Sequence, residues 1–310
     1  MLKYILKRLM AGALTVFVLA TITFFLMKLV PGSPFGAELA QLQPELREKL
    51  LAQYNLDKSI PEQFVIYLKN AATGDFGESM TRKGQDVVDI IARCMPSTAK
   101  VGIVAFTFAM VAGITLGVIA AFTKKNWVEN SVMFIATIGV SVPSFLYALL
   151  LMIIFGVMLH ILPIVGLKSP LHYVLPAFSL ALHPISMVSR LVRSGMKEVM
   201  KQDYIVLARS KGTPMLKIIL KHGLKNCLIP VVNYAGPMLS YLLTGSFVIE
   251  NLFSIPGIGA EFTNSVTNRD YTMIMALTIL FGVLIIVANI ATDILVAFID
   301  PRVKLDKKKS

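Results

Sequence analysis

The sequence predicts an all-α membrane protein with six transmembrane helices, and three observations carry that prediction. Hydrophobic residues make up 55% of the 310-residue chain and charged residues only 15%, against roughly 25% charged in an average soluble protein. Six stretches are long and apolar enough to cross a bilayer core, which takes about 20 helical residues. Basic residues gather in alternate connections, so the net charge of +12 follows the rule that cytoplasmic loops are rich in Lys and Arg. Charge explained in this way calls for a lipid bilayer as partner and for no nucleic acid.

The first span runs from Leu9 to Val30. Its apolar run exceeds the 7 to 15 residues, roughly, of a signal-peptide core, so it reads as a retained helix. The second runs from Ser97 to Thr123 and the third from Ser131 to Leu159. The fourth, Tyr173 to Val188, is short and carries Pro176 and Pro184, which membrane helices tolerate when neighbours satisfy the freed carbonyls. The fifth spans Cys227 to Ile249 and the sixth Thr272 to Ile299. An even count puts both termini on one side. That side carries Lys3, Lys7, Arg8, the Lys124-Lys125 pair, nine Lys or Arg between Arg190 and Asn226, and the tail residues Arg302, Lys304 and Lys307 to Lys309. The short loops opposite hold only Lys168 and Arg269, so both termini are expected in the cytoplasm. Cys94 and Cys227 then sit at opposite faces and cannot pair. His160, His172, His183 and His222 read as interfacial or packed rather than as ligands.

The expected organisation is residues 1–30 as N-terminal tip and first span, 31–96 as an extracytoplasmic helical cap, 97–303 as the membrane domain with a large loop at 190–226, and 304–310 as a basic tail. In the cap, Pro44 to Tyr54 places Leu46, Leu50, Leu51 and Tyr54 on one helical face. Ser59-Ile-Pro61 is a helix start ahead of Phe64, Tyr67 and Leu68. Gly74-Asp-Phe-Gly77 is a turn. With seven basic and nine acidic residues the segment suits either a lid on its own membrane domain or a docking surface for a soluble partner.

No G-x-x-x-x-G-K-[ST] loop, nucleophile elbow or H-E-x-x-H motif occurs. The chain is therefore not expected to be an enzyme, and no catalytic residue, metal or cofactor is assigned. Ionisable groups are scarce in the spans, where Lys28 and Asp293 stand out; Asp293 reads as pairing with a basic group near the inner surface. Such scarcity disfavours a proton-coupled carrier acting alone, so any driving energy must enter from another subunit. Ser141, Ser144, Asn233, Tyr234, Tyr241 and Thr244 are the polar candidates for lining a pathway, each more readily explained as an interhelical hydrogen bond.

The 190–226 loop contains Asp203-Tyr-Ile-Val-Leu-Ala-Arg-Ser-Lys-Gly212-Thr-Pro214. Asp203 can cap a helix start, Gly212 can supply the left-handed residue that ends it, and Pro214 blocks continuation. A second short helix with Met215, Ile218 and Ile219 leads towards Pro230. On its own a basic loop of this kind rests on anionic headgroups.

The stretch also resembles the cytoplasmic coupling loop of the permease subunits of binding-protein-dependent ABC importers, patterned E-A-A-x3-G. Ala208 and Gly212 match the third motif residue and the glycine, while Val206 stands at the glutamate and Lys225 at a later proline. Pro31-Gly-Ser-Pro-Phe35, Gly74 to Gly77, Ser141-Val-Pro-Ser-Phe145, Thr244 to Glu250 with Phe253, Ile255-Pro-Gly-Ile-Gly259, Asn268-Arg-Asp-Tyr271 and Asp300-Pro-Arg302 follow in an order similar to the oligopeptide and dipeptide branch, first-subunit type. The resemblance implies the type I ABC importer permease fold with a small helical extracytoplasmic insertion between helices 1 and 2. It implies import of oligopeptides or dipeptides across a bacterial or archaeal cytoplasmic membrane. A homologous second permease subunit, two cytosolic ABC ATPase subunits and an extracytoplasmic peptide-binding protein would be partners, with Asp203, Tyr204, Ala208, Arg209, Lys211 and Gly212 facing the ATPases. Related permeases import nickel chelates, glutathione or other small solutes, which stands as the alternative.

Overall fold

The computed structural model describes residues 2–29, 34–36 and 42–299. Val30, the Pro31 to Ser33 part of the first motif, and the tail from Asp300 with its Asp300-Pro-Arg302 motif and basic residues lie outside the described residues.

In chain order the helices are α1 (Leu2–Leu29), α2 (Pro44–Gln53), α3 (Ile60–Ala72), α4 (Val87–Phe122), α5 (Asn126–Ser141), α6 (Ser144–Leu151) and α7 (Val174–Val199). They continue with α8 (Asp203–Ser210), α9 (Met215–Lys217), α10 (Leu224–Cys227), α11 (Ile229–Leu243), α12 (Phe247–Leu252), α13 (Ile258–Asn268) and α14 (Tyr271–Ile299). Wider π-type turns extend α6 over Met152–Met158 and join α9 to α10 over Ile218–Gly223. A 3-10 turn, Pro170–Tyr173, opens α7. Among the described residues the only β pairing is the single antiparallel bridge from Glu78 to Asp86.

Among the described residues, four helices are long and apolar enough to cross a membrane: α1, α4, α7 with its opening turn, and α14. These match the expected first, second, fourth and sixth spans. The third is a pair, α5 and α6, bent by 108° at its break. Pro143 causes the break, because a proline disfavours helical geometry in the residue before it; Val142 accordingly sits at φ −95°, ψ 132°. The stretch expected as the fifth span resolves into α10, α11 and α12. Its longest piece, α11, has 15 residues, and Gly245 at φ +78° ends the helical run before α12.

Two compact units emerge, Met1–Thr98 with Pro256–Ile286, and Ala99–Ile255 with Val287–Ser310. In the first unit Ala20, Phe24 and Met27 of α1 bury against Ile274 and Met275 of α14, with Phe64 and Tyr67 of α3 packed on that cluster. A second cluster joins Val87 and Ile90 to Ile258, Met273 and Leu277. Helix α3 begins as the sequence suggests: Ser59 is its N-cap and Glu62 closes a capping box. The face expected on α2 is only partly used, since Leu46 is exposed.

The second unit is organised on α7, whose Ala177, Ala181, Val188, Val192 and Met196 are fully buried. Close approach to α4 depends on Gly113 and Gly117. A Cβ at either would lie within 2.7 Å of the Val188 or Val192 side chain, so only glycine lets the backbones come this near.

Candidate functional site

The bend between α5 and α6 opens a cavity of about 480 Å³ in the second unit. The proline break presents Ser141 and Ser144 to it from one side. Helix α11 supplies Tyr234 and Tyr241, seven positions apart and therefore on one helical face. His183 of α7 faces the same space and is exposed. One hydrogen bond crosses the bend, the Tyr147 hydroxyl of α6 donating to the Ile138 carbonyl of α5 at 2.6 Å, while the Ser141 hydroxyl donates within α5 to the Thr137 carbonyl at 2.9 Å. The wall is otherwise mostly apolar, with Pro184, Pro237 and Met238. Neutral donors and acceptors, tyrosine rings and one imidazole can hold a peptide-like amide or a small solute through hydrogen bonds without a fixed charge to trap it.

Of the six polar span residues singled out, four meet at this cavity. Asn233 and Thr244 do not line it; Thr244 instead donates to the Tyr241 carbonyl at 2.9 Å at the end of α11. His183, read from sequence as packed or interfacial, belongs to the cavity wall. Lys100, exposed on α4, is a further charged residue within a span.

The other candidate element is α8. Gln202, at φ −74° and ψ 146°, is its N-cap, and Asp203 is the first helical residue. This corrects the expected capping role of Asp203, whose carboxylate instead sits in the first turn, where it favours the helix dipole. Ile205 is fully buried, while Tyr204, Val206 and Leu207 are exposed. The Asn226 amide donates to the Tyr204 hydroxyl at 2.7 Å. The C-terminus is a Schellman motif: Gly212 N–H donates to the Arg209 carbonyl at 2.9 Å and Thr213 N–H to the Ala208 carbonyl at 3.2 Å. Gly212 has φ +71°, as expected, and a Cβ there would meet nothing within 4 Å. Arg209 and Lys211 are exposed and Ala208 is half-buried.

One feature of this unit escaped the sequence reading. Glu129 of α5 accepts from Arg193 Nε at 2.8 Å and also binds Arg193 Nη2 and Lys197 Nζ. Arg193 and Lys197 stand four apart on α7, which places them on one face and was the available hint of a shared anionic partner.

The family model for the inner membrane component of binding-protein-dependent transport systems matches residues 113–305, and the model for the N-terminal part of such membrane components matches residues 1–102. The chain belongs to the binding-protein-dependent transport permeases. Among relatives of this permease is the dipeptide transport system permease protein DppB of Bacillus subtilis, 41% identical over 99% of this chain and all of that one. The oligopeptide transport system permease protein OppB of Escherichia coli K12 is 43% identical over 98% of this chain and all of that one. The permease also resembles in fold a chain of the MetNI methionine ABC transporter in inward-facing form, with TM-score 0.56 and 19% identity, over 69% of this chain and 97% of that one.

Proposed function

We propose that this permease is the first-type membrane subunit of an ATP-driven importer of oligopeptides or dipeptides. The observation that carries the reading is the convergence of Ser141, Ser144, Tyr234 and Tyr241 on one cavity at a proline bend. Full-length relatives named as dipeptide and oligopeptide permeases support the cargo class. In this reading the protein has six spans, α11 with its flanking short helices completing the set, and both termini are cytoplasmic. Residues 31–96 form an extracytoplasmic cap that receives a peptide-binding protein, 97–303 form the transport domain, and 304–310 are a basic tail.

A homologous second permease subunit completes the pathway, and two cytosolic ATPases dock on the 190–226 loop. Asp203, Tyr204, Ala208, Arg209, Lys211 and Gly212 form the contact. Closure of the ATPases tilts α8 as a rigid lever and switches access to the cavity. The chain itself hydrolyses no ATP. The test is reconstitution in proteoliposomes with the partner subunits and binding protein, comparing ATP-dependent uptake of a labelled dipeptide, a pentapeptide, glutathione and a nickel chelate. Uptake of peptides supports the reading; uptake confined to glutathione or nickel chelate would transfer the chain to the alternative cargo. ATP hydrolysis by the purified single chain would remove the division of labour.

A further inference from the structure

The first unit holds a second cavity, of about 340 Å³, within the range of small-ligand sites. Its walls come from the end of α1, from α3, from the Gly74-Asp-Phe-Gly77 turn and from the start of α14. Lys28 reaches into it half-buried. The ammonium donates to Gln63 Oε1 at 2.6 Å and lies 5.5 Å from the Phe24 ring centre and 5.3 Å from that of Tyr271. None of these partners is anionic, and an ammonium has three donors to satisfy. In the same wall the Tyr67 hydroxyl is buried with no hydrogen-bond partner among the described residues, a state that costs free energy unless an occupant supplies one.

The opposite charge is also present. Asp75 and Glu78 are exposed lining residues. Asp75 Oδ1 accepts the Gly77 N–H at 2.9 Å, and Glu78 Oε2 accepts from Gln53 Nε2 at 3.1 Å; both are contacts with neutral donors. Among the described residues, one cavity thus offers a cation with no anion bonded to it and carboxylates with no cation bonded to them. A zwitterion with a short apolar body matches that set, its carboxylate on Lys28 in a charge-assisted bond and its ammonium at the acidic turn.

We propose that this cavity is an accessory binding site for a free amino acid or short peptide, held by its two charged termini, in addition to the cavity at the α5–α6 bend. The proposal does not depend on the transported cargo.

The test uses the assembled complex in nanodiscs and a dipeptide bearing a diazirine side chain, photo-leucyl-alanine, with labelled positions mapped by mass spectrometry. Labelling is expected in residues 53–80 or 271–275. Lys28→Met should lower it about tenfold, the loss of roughly 1.4 kcal/mol of binding, and Lys28→Arg should restore most of it. The same dipeptide blocked as N-acetyl amide should label the site weakly. Labelling confined to residues 140–144 and 234–241 would overturn the accessory site while leaving the transport reading intact. Equal labelling in Lys28→Met would overturn the role of the cation. Should Lys28→Met fail to assemble, Glu78→Gln together with Asp75→Asn supplies the same comparison at the ammonium end, and unchanged labelling there would also overturn the proposal.

Discussion

Asp270 anchors Ser79, although 191 positions separate the two residues. The buried carboxylate accepts the Ser79 hydroxyl through Oδ2, together with Thr81 Oγ1 at 2.9 Å. Its Oδ1 takes the Met80 N–H at 3.1 Å and the Thr272 hydroxyl at 2.9 Å. Burial pushes this carboxyl up, but the donors from Ser79, Thr81, Thr272 and Met80 outweigh burial and hold it below the usual carboxylate range. The residues after the Gly74 to Gly77 turn are thereby fastened to the start of α14, which gives the Asn268-Arg-Asp-Tyr271 motif a physical purpose.

The first prediction concerns that anchor. Since the folded carboxyl titrates below its unfolded value, its stabilisation is complete above the unfolded pKa and is lost as pH falls through the lower folded one. Protection of the amides of residues 79–82 from hydrogen exchange should therefore begin to fall as pH drops through the ordinary carboxylate range, and the contribution of Asp270 should be gone once pH has passed below the lower folded value. Asp270→Asn keeps the shape but removes the charge and one acceptor, and should weaken local protection at neutral pH by about 2 kcal/mol. Unchanged exchange in the variant would show that the carboxylate contributes nothing to the anchor.

The second concerns the cavity at the bend. Ser141→Trp places a large ring where a small hydroxyl now faces the open space, so passage of bulky cargo should suffer first. At matched membrane levels, pentapeptide uptake should fall roughly tenfold, the effect of about 1.4 kcal/mol on a barrier, and dipeptide uptake by less. Equal uptake of both by mutant and wild type would exclude the cavity from the pathway.

The third concerns sidedness. Cys227 is only 1% exposed, so its failure to react with an external reagent says little about topology. Lys69→Cys on α3 and Ser210→Cys on α8 both replace exposed residues, and in a chain whose own cysteines are changed to alanine they report cleanly. A membrane-impermeant maleimide on intact cells should label position 69 and should reach position 210 only after permeabilisation. The reverse pattern would invert the topology drawn from the basic loops.

What could be read from sequence was whatever depends on neighbours along the chain. Apolar length marked α1, α4, α7 and α14, Ser59 with Pro61 marked the start of α3, and Gly212 before Pro214 marked the end of α8. The 108° bend was hidden because hydropathy is continuous across Val142 and Pro143, and a proline in an apolar run reads as a tolerated kink. The helical break at Gly245 was hidden likewise, since Thr244-Gly-Ser246 is only a short interruption between apolar Leu242-Leu243 and Phe247-Val248. Contacts between distant residues were beyond reach: nothing near Glu129 shows that Arg193 and Lys197 will meet it, and nothing near Asp270 shows Ser79. The polar cavity was half legible. A tyrosine or serine in a span signals a polar need, but whether a neighbour or a ligand meets it depends on helix rotation, which separates Tyr234 from Asn233.

The last prediction tests whether α8 acts as a lever, through Gly212. A Cβ at this position meets no atom within 4 Å, so substitution acts through the backbone alone. At φ +71° a β-branched residue is disfavoured by roughly 1 to 2 kcal/mol. Relieving that strain breaks the two Schellman hydrogen bonds and loosens the last turn, which contains Arg209. Gly212→Val should therefore insert normally, yet lower peptide uptake by more than it lowers membrane level, and the assembled complex should lose stimulation of its ATPase by loaded binding protein. Asparagine tolerates the left-handed region far better, so Gly212→Asn should keep most of both activities. Ala208→Trp disturbs the same helix by bulk instead, and should also uncouple hydrolysis from uptake. A loop that merely rests on lipid headgroups would be indifferent to all three changes, because its affinity is spread over many basic side chains. Loss in Val but not Asn ties the effect to backbone conformation, whereas wild-type uptake and stimulation in both Gly212→Val and Ala208→Trp would deny α8 any part in coupling.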